Sequence, residues 1–139
     1  MEMILIAVVY GLRYGMELTP GTRKPLGGKN NVCHGRLGPV AASVMVYHQE
    51  NGTVQIGHKK YPERRLHPSD GLMESGQGLA LLKDPSEPGI LKREWEMIRV
   101  EGGYRFRHAL TDRKTPLYIG LSEEGWLILS ETPVTWQQA

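Results

Sequence analysis

Residues 94–108, EWEMIRVEGGYRFRH, contain the pattern that decides the fold. Apolar and polar residues alternate on both sides of Glu101-Gly102-Gly103, which is typical of two half-buried strands joined by a tight turn. The stretch 43–58, SVMVYHQENGTVQIGH, repeats this arrangement with Asn51-Gly52 in its turn. Asn-Gly suits a hairpin because a type I′ turn needs positive φ at both central residues. Both stretches are therefore predicted to be β-hairpins.

Strand patterns continue toward both ends of the chain. Residues 3–10, MILIAVVY, form the longest apolar run and are rich in β-branched side chains, which predicts a buried strand. Near the other end, the runs PLYIG (116–120) and WLIL (126–129) flank a turn at 122–125. No helix-length window shows a 3.6-residue apolar stripe without Gly or Pro. The sequence therefore predicts an all-β protein.

Large residues of the two hairpins recur at a fixed spacing. Four pairs lie 50 positions apart: Met45 and Trp95, Tyr47 and Met97, Ile56 and Phe106, His58 and His108. Trp136 follows Trp95 by 41 positions. This spacing predicts one domain (1–139) of three units, roughly 1–50, 51–100 and 101–139. Four strands per unit give twelve strands, which we interpret as a pseudo-threefold barrel with a hairpin cap.

Composition excludes several classes of protein. The 139 residues suffice for one domain, and 17 basic against 15 acidic residues give a net charge of only +2, so no nucleic-acid partner is implied. A single cysteine excludes an internal disulfide framework. No apolar run approaches the ~20 residues of a membrane span. Because the run at 3–10 lacks a preceding positive charge and a small-residue cleavage site, we expect a cytoplasmic protein.

The third unit resembles the β-trefoil most closely. Its motifs are Gly103–Arg107, Pro116–Gly120, Gly125–Leu129 and Val134–Trp136, and the second unit has a looser version. The stretch from Asp70 through Leu82 to Trp95 resembles the small fungal β-trefoil protease inhibitors of the cospin and mycocypin kind. This resemblance implies a β-trefoil that catalyses nothing, holds no cofactor or metal and has a target protease as its partner.

An inhibitor of this type needs a preorganised loop that enters the protease cleft. The basic segment 59–70, KKYPERRLHPSD, is predicted to be such a loop, and Arg64 or Arg65 could pair with the carboxylate of a trypsin-like primary pocket. A solubilising loop is the alternative. In a second loop (19–31), Arg23 is a further candidate, and Gly27 and Gly28 could form a wedge for a cysteine protease, unless this segment is a plain connector. The basic turn 112–115 is a third candidate.

Two other functions remain open from the sequence. β-Trefoils also include ricin B-type lectins, so a carbohydrate-binding protein with sites built from loop Tyr, Trp and Asn is the alternative, although the Gln-x-Trp motif of those lectins is absent. Enzyme motifs are lacking. Cys33-His34 are adjacent rather than brought together from distant positions, and His48, His58 and His108 are more readily explained by hydrogen bonding than by a metal.

Overall fold

The computed structural model describes residues 1–20, 32–38, 42–69, 73–84, 92–112 and 114–139. Within these ranges the chain forms thirteen strands and no helix, so the all-β prediction is confirmed. The strands are β1 (Glu2–Met3), β2 (Leu5–Val9), β3 (Leu12–Glu17), β4 (His34–Leu37), β5 (Val44–His48), β6 (Val54–Gly57), β7 (Arg64–Pro68), β8 (Leu79–Lys83), β9 (Trp95–Val100), β10 (Gly103–His108), β11 (Tyr118–Leu121), β12 (Leu127–Ser130) and β13 (Gln137–Gln138). Among the described residues, none belongs to a helix that is long and apolar enough to cross a bilayer.

The strands form three antiparallel sheets rather than one closed barrel. Seven strands pair in the order β1-β5-β6-β9-β10-β11-β12, four in the order β13-β2-β3-β4, and β7 pairs with β8. Isolated bridges link the sheets, for example Tyr104 with Trp136 and Gly78 with Ile128. The Cys33 N–H donates a hydrogen bond to the Leu79 carbonyl, and the Cys33 carbonyl accepts one from the Leu127 N–H, which adds a further connection.

One pairing scheme recurs three times along the chain. Strands β3 and β4, β7 and β8, and β11 and β12 form three antiparallel hairpins. A long-range pair accompanies each hairpin: Met3 with Val44, Val54 with Trp95, and Tyr104 with Trp136. The next pairing in each case is β5 with β6, β9 with β10, and β13 with β2. Each of the three sets therefore contains four strands in the same relation, with β1 as an extension of β2.

The two tryptophans of this scheme lie at the centre of the core. Trp95 and Trp136 are fully buried, and Phe106 packs in the same cluster. Each indole nitrogen donates a hydrogen bond of 3.3 Å to a backbone oxygen, Trp95 to Leu66 and Trp136 to Ile119. Burial of large aromatic side chains supplies much of the hydrophobic stabilisation, and the indole N–H finds its partner in a hairpin strand.

The predicted match of Met45 with Trp95 is wrong by one residue. Val44 is fully buried and pairs with Met3, as Trp95 pairs with Val54, whereas Met45 is only half-buried. Between equivalent cross-strand pairs, the chain from Val46 to Ile56 is one residue longer than the chain from Met97 to Phe106, which shifts the alignment of the first strand. Because successive side chains of a strand point to opposite faces, such a shift exchanges the buried residue for its neighbour.

The turn chemistry also differs from the prediction. The hairpin at Asn51-Gly52 forms, but only Gly52 has positive φ (88°), and Asn51 Oδ1 instead accepts a hydrogen bond from the Thr53 N–H at 3.1 Å. A two-residue turn with positive φ at both positions occurs at Tyr10 (54°) and Gly11 (74°), between β2 and β3.

Candidate functional site

Arg64 and Arg65, the first predicted inhibitory residues, do not lie in a loop. They begin strand β7 and pair with Lys83 and Leu82 of β8, so the prediction of one continuous loop over 59–70 is wrong for Arg64–Pro68. The sequence concealed this strand because two adjacent arginines and a proline are uncommon in strands. Proline is tolerated here as the last residue of the strand.

Both guanidinium groups are engaged within the molecule. Arg64 Nη1 donates to the Leu81 carbonyl at 3.3 Å, and its side chain is only 18% exposed. Arg65 Nη1 donates to the carbonyls of Pro62 and Arg64, each at 2.8 Å. The Arg65 guanidinium carbon lies 4.0 Å from the centroid of the Tyr47 ring. Arginines with these partners hold the structure together and do not extend toward a protease pocket.

A chain of polar contacts through Gln55 holds the Arg65 side chain in place. Its Nε donates to Gln55 Oε1 at 3.1 Å, and Gln55 Nε2 in turn donates to Glu94 Oε1 at 2.9 Å. The other oxygen of Glu94 accepts the Thr53 hydroxyl at 2.6 Å. Gln55 is 6% exposed, so its amide depends on these protein partners. The network therefore joins the β5–β6 hairpin to β7 and to the residue that precedes β9, and the Arg65 bond to Pro62 extends it to the segment that precedes β7.

That segment, residues 59–63 (the Lys59–Glu63 loop), consists of two consecutive turns. The Tyr61 N–H donates to the His58 carbonyl and the Arg64 N–H donates to the Tyr61 carbonyl, both at 3.0 Å. His58 Nδ1 accepts from the Lys60 N–H at 3.0 Å, and the His58 and Tyr61 rings lie 5.2 Å apart. Together with the Arg65 contact to Pro62, these bonds constrain every bend of the loop.

The Lys59–Glu63 loop presents basic side chains that the sequence analysis did not select. Lys59 and Lys60 are exposed, as are Pro62 and Glu63. Lys59 Nζ lies 4.0 Å from Glu2 Oε1, which is the upper distance limit for an ion pair. The one sequence signal was Pro62, a turn-forming residue two positions before β7 begins at Arg64, which leaves a loop of five residues.

The remaining inhibitory candidates are only partly described. Arg23, Gly27 and Gly28 lie outside the described residues, as does Arg113 of the third candidate. Around that position, Asp112 caps the turn: its Oδ1 accepts the Lys114 N–H and its carbonyl accepts the Thr115 N–H, both at 3.0 Å.

Cys33 is a core residue. It is fully buried, and its Sγ lies 3.6 Å from the Thr19 carbonyl. Burial raises the thiol pKa to about 11, so the nucleophilic thiolate is scarce at neutral pH. The adjacent His34 is exposed, and its ring lies 3.8 Å from that of Trp126. Cys33 and His34 therefore do not form a catalytic pair.

Two of the three strand histidines are held by separate local contacts, whereas His48 is exposed. His58 braces the Lys59–Glu63 loop, whereas His108 is buried, with Nε2 2.7 Å from the Lys92 carbonyl and Nδ1 accepting the Leu110 N–H at 3.2 Å. Desolvation lowers the His108 pKa, outweighing the bond to Lys92. In the described ranges no group of three His, Cys, Asp or Glu side chains has a geometry that could hold a metal ion.

The aromatic residues considered for a lectin differ in their exposure. Trp95 and Trp136 are buried, so they are not available to stack on a sugar. Tyr10, in contrast, is 79% exposed at the tip of the β2–β3 hairpin. Comparison with known proteins adds no assignment, since no family model and no curated protein matches this chain.

Proposed function

We propose that this protein is a non-catalytic β-trefoil that inhibits a protease through the Lys59–Glu63 loop. The observation that carries the proposal is the bracing of this exposed basic loop by Arg65 and His58. The sequence predicted that Arg65 contacts the protease; in this proposal Arg65 instead holds the contact loop in place.

The threefold recurrence of the strand pairings supports the β-trefoil. In that architecture each unit contributes four strands, the first and last to a barrel and the middle two to a capping hairpin. The pairs Met3–Val44, Val54–Trp95 and Tyr104–Trp136 would then join the first and last strands of successive units. An experimental structure tests this fold: residues 2–48, 54–100 and 104–138 should superpose by rotation about one axis.

Preorganisation supports inhibition. A loop that is already ordered loses little conformational entropy on binding, and each side chain that must be immobilised otherwise costs about 0.5–1.5 kcal/mol. In the Lys59–Glu63 loop the backbone is fixed by hydrogen bonds at both turns, while the two lysine side chains remain exposed. Because the loop consists of two hydrogen-bonded turns, we propose that it enters the cleft as a preformed turn.

Lys60 is the residue that we assign to the acidic primary pocket. Lys59 lies near Glu2, which competes for its ammonium group. The Lys60 backbone N–H, in contrast, is bonded to His58 Nδ1, and Lys60 is exposed. An ammonium group on a flexible stem can reach a buried carboxylate in a protease pocket and pair with it.

Titration against trypsin tests the proposal directly. We expect stoichiometric inhibition that Lys60→Gln weakens at least about a hundredfold, because the charge paired with the buried pocket carboxylate is lost. Lys83→Gln, which removes an exposed lysine at the end of β8, is the matched control and should inhibit like the unmodified protein. Full inhibition by the Lys60→Gln variant would contradict the assignment of the loop.

Papain-like and legumain-like proteases provide the second arm of this experiment. Inhibition of either enzyme, combined with no effect on trypsin, would transfer the contact from the Lys59–Glu63 loop to the segment that contains Gly27 and Gly28. No inhibition of any of the three enzymes at micromolar protein would reject the inhibitor proposal.

A further inference from the structure

A groove lies between the tip of the β2–β3 hairpin and the turn at 122–125. It has a volume of about 290 Å3 and is lined by Tyr10, Leu12, Tyr14 and Glu123. Tyr14 forms the buried floor, while Leu12 is 46% exposed beside the exposed ring of Tyr10. The groove thus combines one leucine, two tyrosines and one glutamate in a small space.

The turn that carries Glu123 is rigid. Ser122 and Trp126 bond to each other, with the Ser122 N–H donating to the Trp126 carbonyl at 2.9 Å and the Trp126 N–H donating to Ser122 Oγ at 3.0 Å. Gly125 has a φ of 85°, and a Cβ built on it would lie 3.4 Å from the Tyr14 ring. The turn therefore packs against Tyr14, which fixes the position of the groove's acidic side.

Tyr10 has a backbone conformation that the two-residue turn requires but that a tyrosine side chain disfavours. Its φ is 54°, a region that Asn, Asp and Gly adopt readily and that is a genuine outlier for a bulky side chain. The side chain gains little from burial in return, since it is 79% exposed. Strained backbone of this kind is concentrated at ligand sites, where a side chain must be held in a particular place.

We propose that this groove is a saccharide-binding site, in which the Tyr10 ring packs on the apolar face of one sugar ring and Glu123 accepts hydrogen bonds from sugar hydroxyls. Pockets that enclose drug-sized ligands have volumes of about 300–1,000 Å3. The groove is slightly smaller than the lower end of this range, so it fits a single small ring. A protein partner would need about 800 Å2 of surface on each side, far more than four residues supply.

The polar groups of the groove match a sugar better than a cationic ligand. Tyr10 and Tyr14 add hydroxyls that both donate and accept, which pairs with the mixed character of sugar hydroxyls. A cationic ligand would find only one carboxylate in the groove, that of Glu123, in a chain of net charge +2. The exposed Arg13, next to Leu12 in the sequence, adds a nearby positive charge. This site is independent of the Lys59–Glu63 loop, so either proposal can fail alone.

A titration followed by amide NMR tests the site, with methyl glycosides of glucose, galactose, mannose and N-acetylglucosamine as probes and a glycan array as a wider screen. We expect saturable shifts confined to the amides around Tyr10, Leu12, Tyr14 and Glu123. Tyr10→Asn should weaken binding at least about tenfold while the hairpin is retained, because Asn suits the positive φ. Glu123→Gln should weaken it by a similar factor.

Two matched variants complete the experiment. Leu110→Asn removes an exposed apolar side chain elsewhere, and Glu101→Gln removes an exposed turn carboxylate; both should bind like the unmodified protein. A blank array together with no shifts at millimolar glycoside would overturn the proposal. So would binding that survives Tyr10→Asn and Glu123→Gln, or shifts at these residues that a lysine-rich peptide produces and no glycoside does.

Discussion

Replacement of Arg65 by lysine measures how strongly the Lys59–Glu63 loop is braced. Lysine keeps the positive charge but loses the guanidinium fork that reaches Pro62, Arg64 and Gln55 at once. The hydrogen bond to the Pro62 carbonyl is exposed and the bond to the Arg64 carbonyl is partly buried, so water replaces much of both and their loss costs little. Loss of the hydrogen bond to buried Gln55 lowers the free energy of unfolding by about 1.5 kcal/mol. Weaker stacking on the Tyr47 ring lowers it by about 0.5 kcal/mol more.

We therefore expect Arg65→Lys to lower the free energy of unfolding by about 2 kcal/mol. With a urea m-value of about 2 kcal/mol per molar, the unfolding midpoint falls by about 1 M. Arg99→Lys, which changes an exposed arginine of β9, is the control and should stay within about 0.5 kcal/mol of the unmodified protein.

Arg65→Lys should also weaken inhibition of trypsin about tenfold, because the loop must then be ordered at the moment of binding. The reasoning would be refuted if Arg65→Lys unfolded at the same urea concentration as Arg99→Lys. Lost stability with unchanged inhibition would separate the two effects and show that Arg65 supports the fold without positioning the loop.

Three further predictions concern the core and its titratable groups. The pKa of His108 is lower in the folded state than its ordinary value of 6.5, so the unfolded chain binds more protons. The free energy of unfolding should therefore fall as the pH drops below 6.5, by at most about 1.4 kcal/mol per pH unit. The urea midpoint of the unmodified protein should fall below pH 6.5 relative to that of His108→Gln, and parallel pH curves for the two proteins would contradict the prediction. Cys33 should resist a thiol reagent at pH 8 in the native protein and react rapidly in denaturant; rapid native labelling would contradict its burial and raised pKa. Gly103→Ala should destabilise by about 3 kcal/mol or more, since a Cβ would lie 2.2 Å from the Trp136 carbonyl oxygen, whereas Gly102→Ala, with positive φ but open space, should cost about 1–2 kcal/mol; equal losses in denaturation would refute the close approach.

Alternation of side chains was enough to predict the strands around residues 94–108 and the all-β class, because each of these strands has one face in the core. Register was harder to predict. Whether Val44 or Met45 faces inward depends on one extra residue in a loop, and both are apolar, so hydropathy does not distinguish them.

The placement of Arg64 and Arg65 in a loop was wrong because the sequence shows charge but not its partners. Arg64 and Arg65 suggested an exposed loop, yet the carbonyls of Pro62 and Leu81 and the amide of Gln55 satisfy their guanidinium groups in a strand. These acceptors are distant or belong to the backbone, so no local pattern marks them. The Tyr10-Gly11 turn, in contrast, could have been found from a glycine between two apolar runs.

Val44 occupies the position that Trp95 and Trp136 hold in the other two sets of four strands, so the first set lacks a tryptophan there. Trp95 and Trp136 each tie their strand to a hairpin through an indole N–H, at Leu66 in β7 and at Ile119 in β11. Valine has no side-chain donor, so β3 and β4 lack the corresponding tie from β5. Local opening requires fewer broken interactions there, and amide protons of β3 and β4 should exchange with deuterated solvent sooner than those of the other two hairpins. Unfolding of the native protein would then start from its first unit and spread toward the tryptophan-anchored remainder.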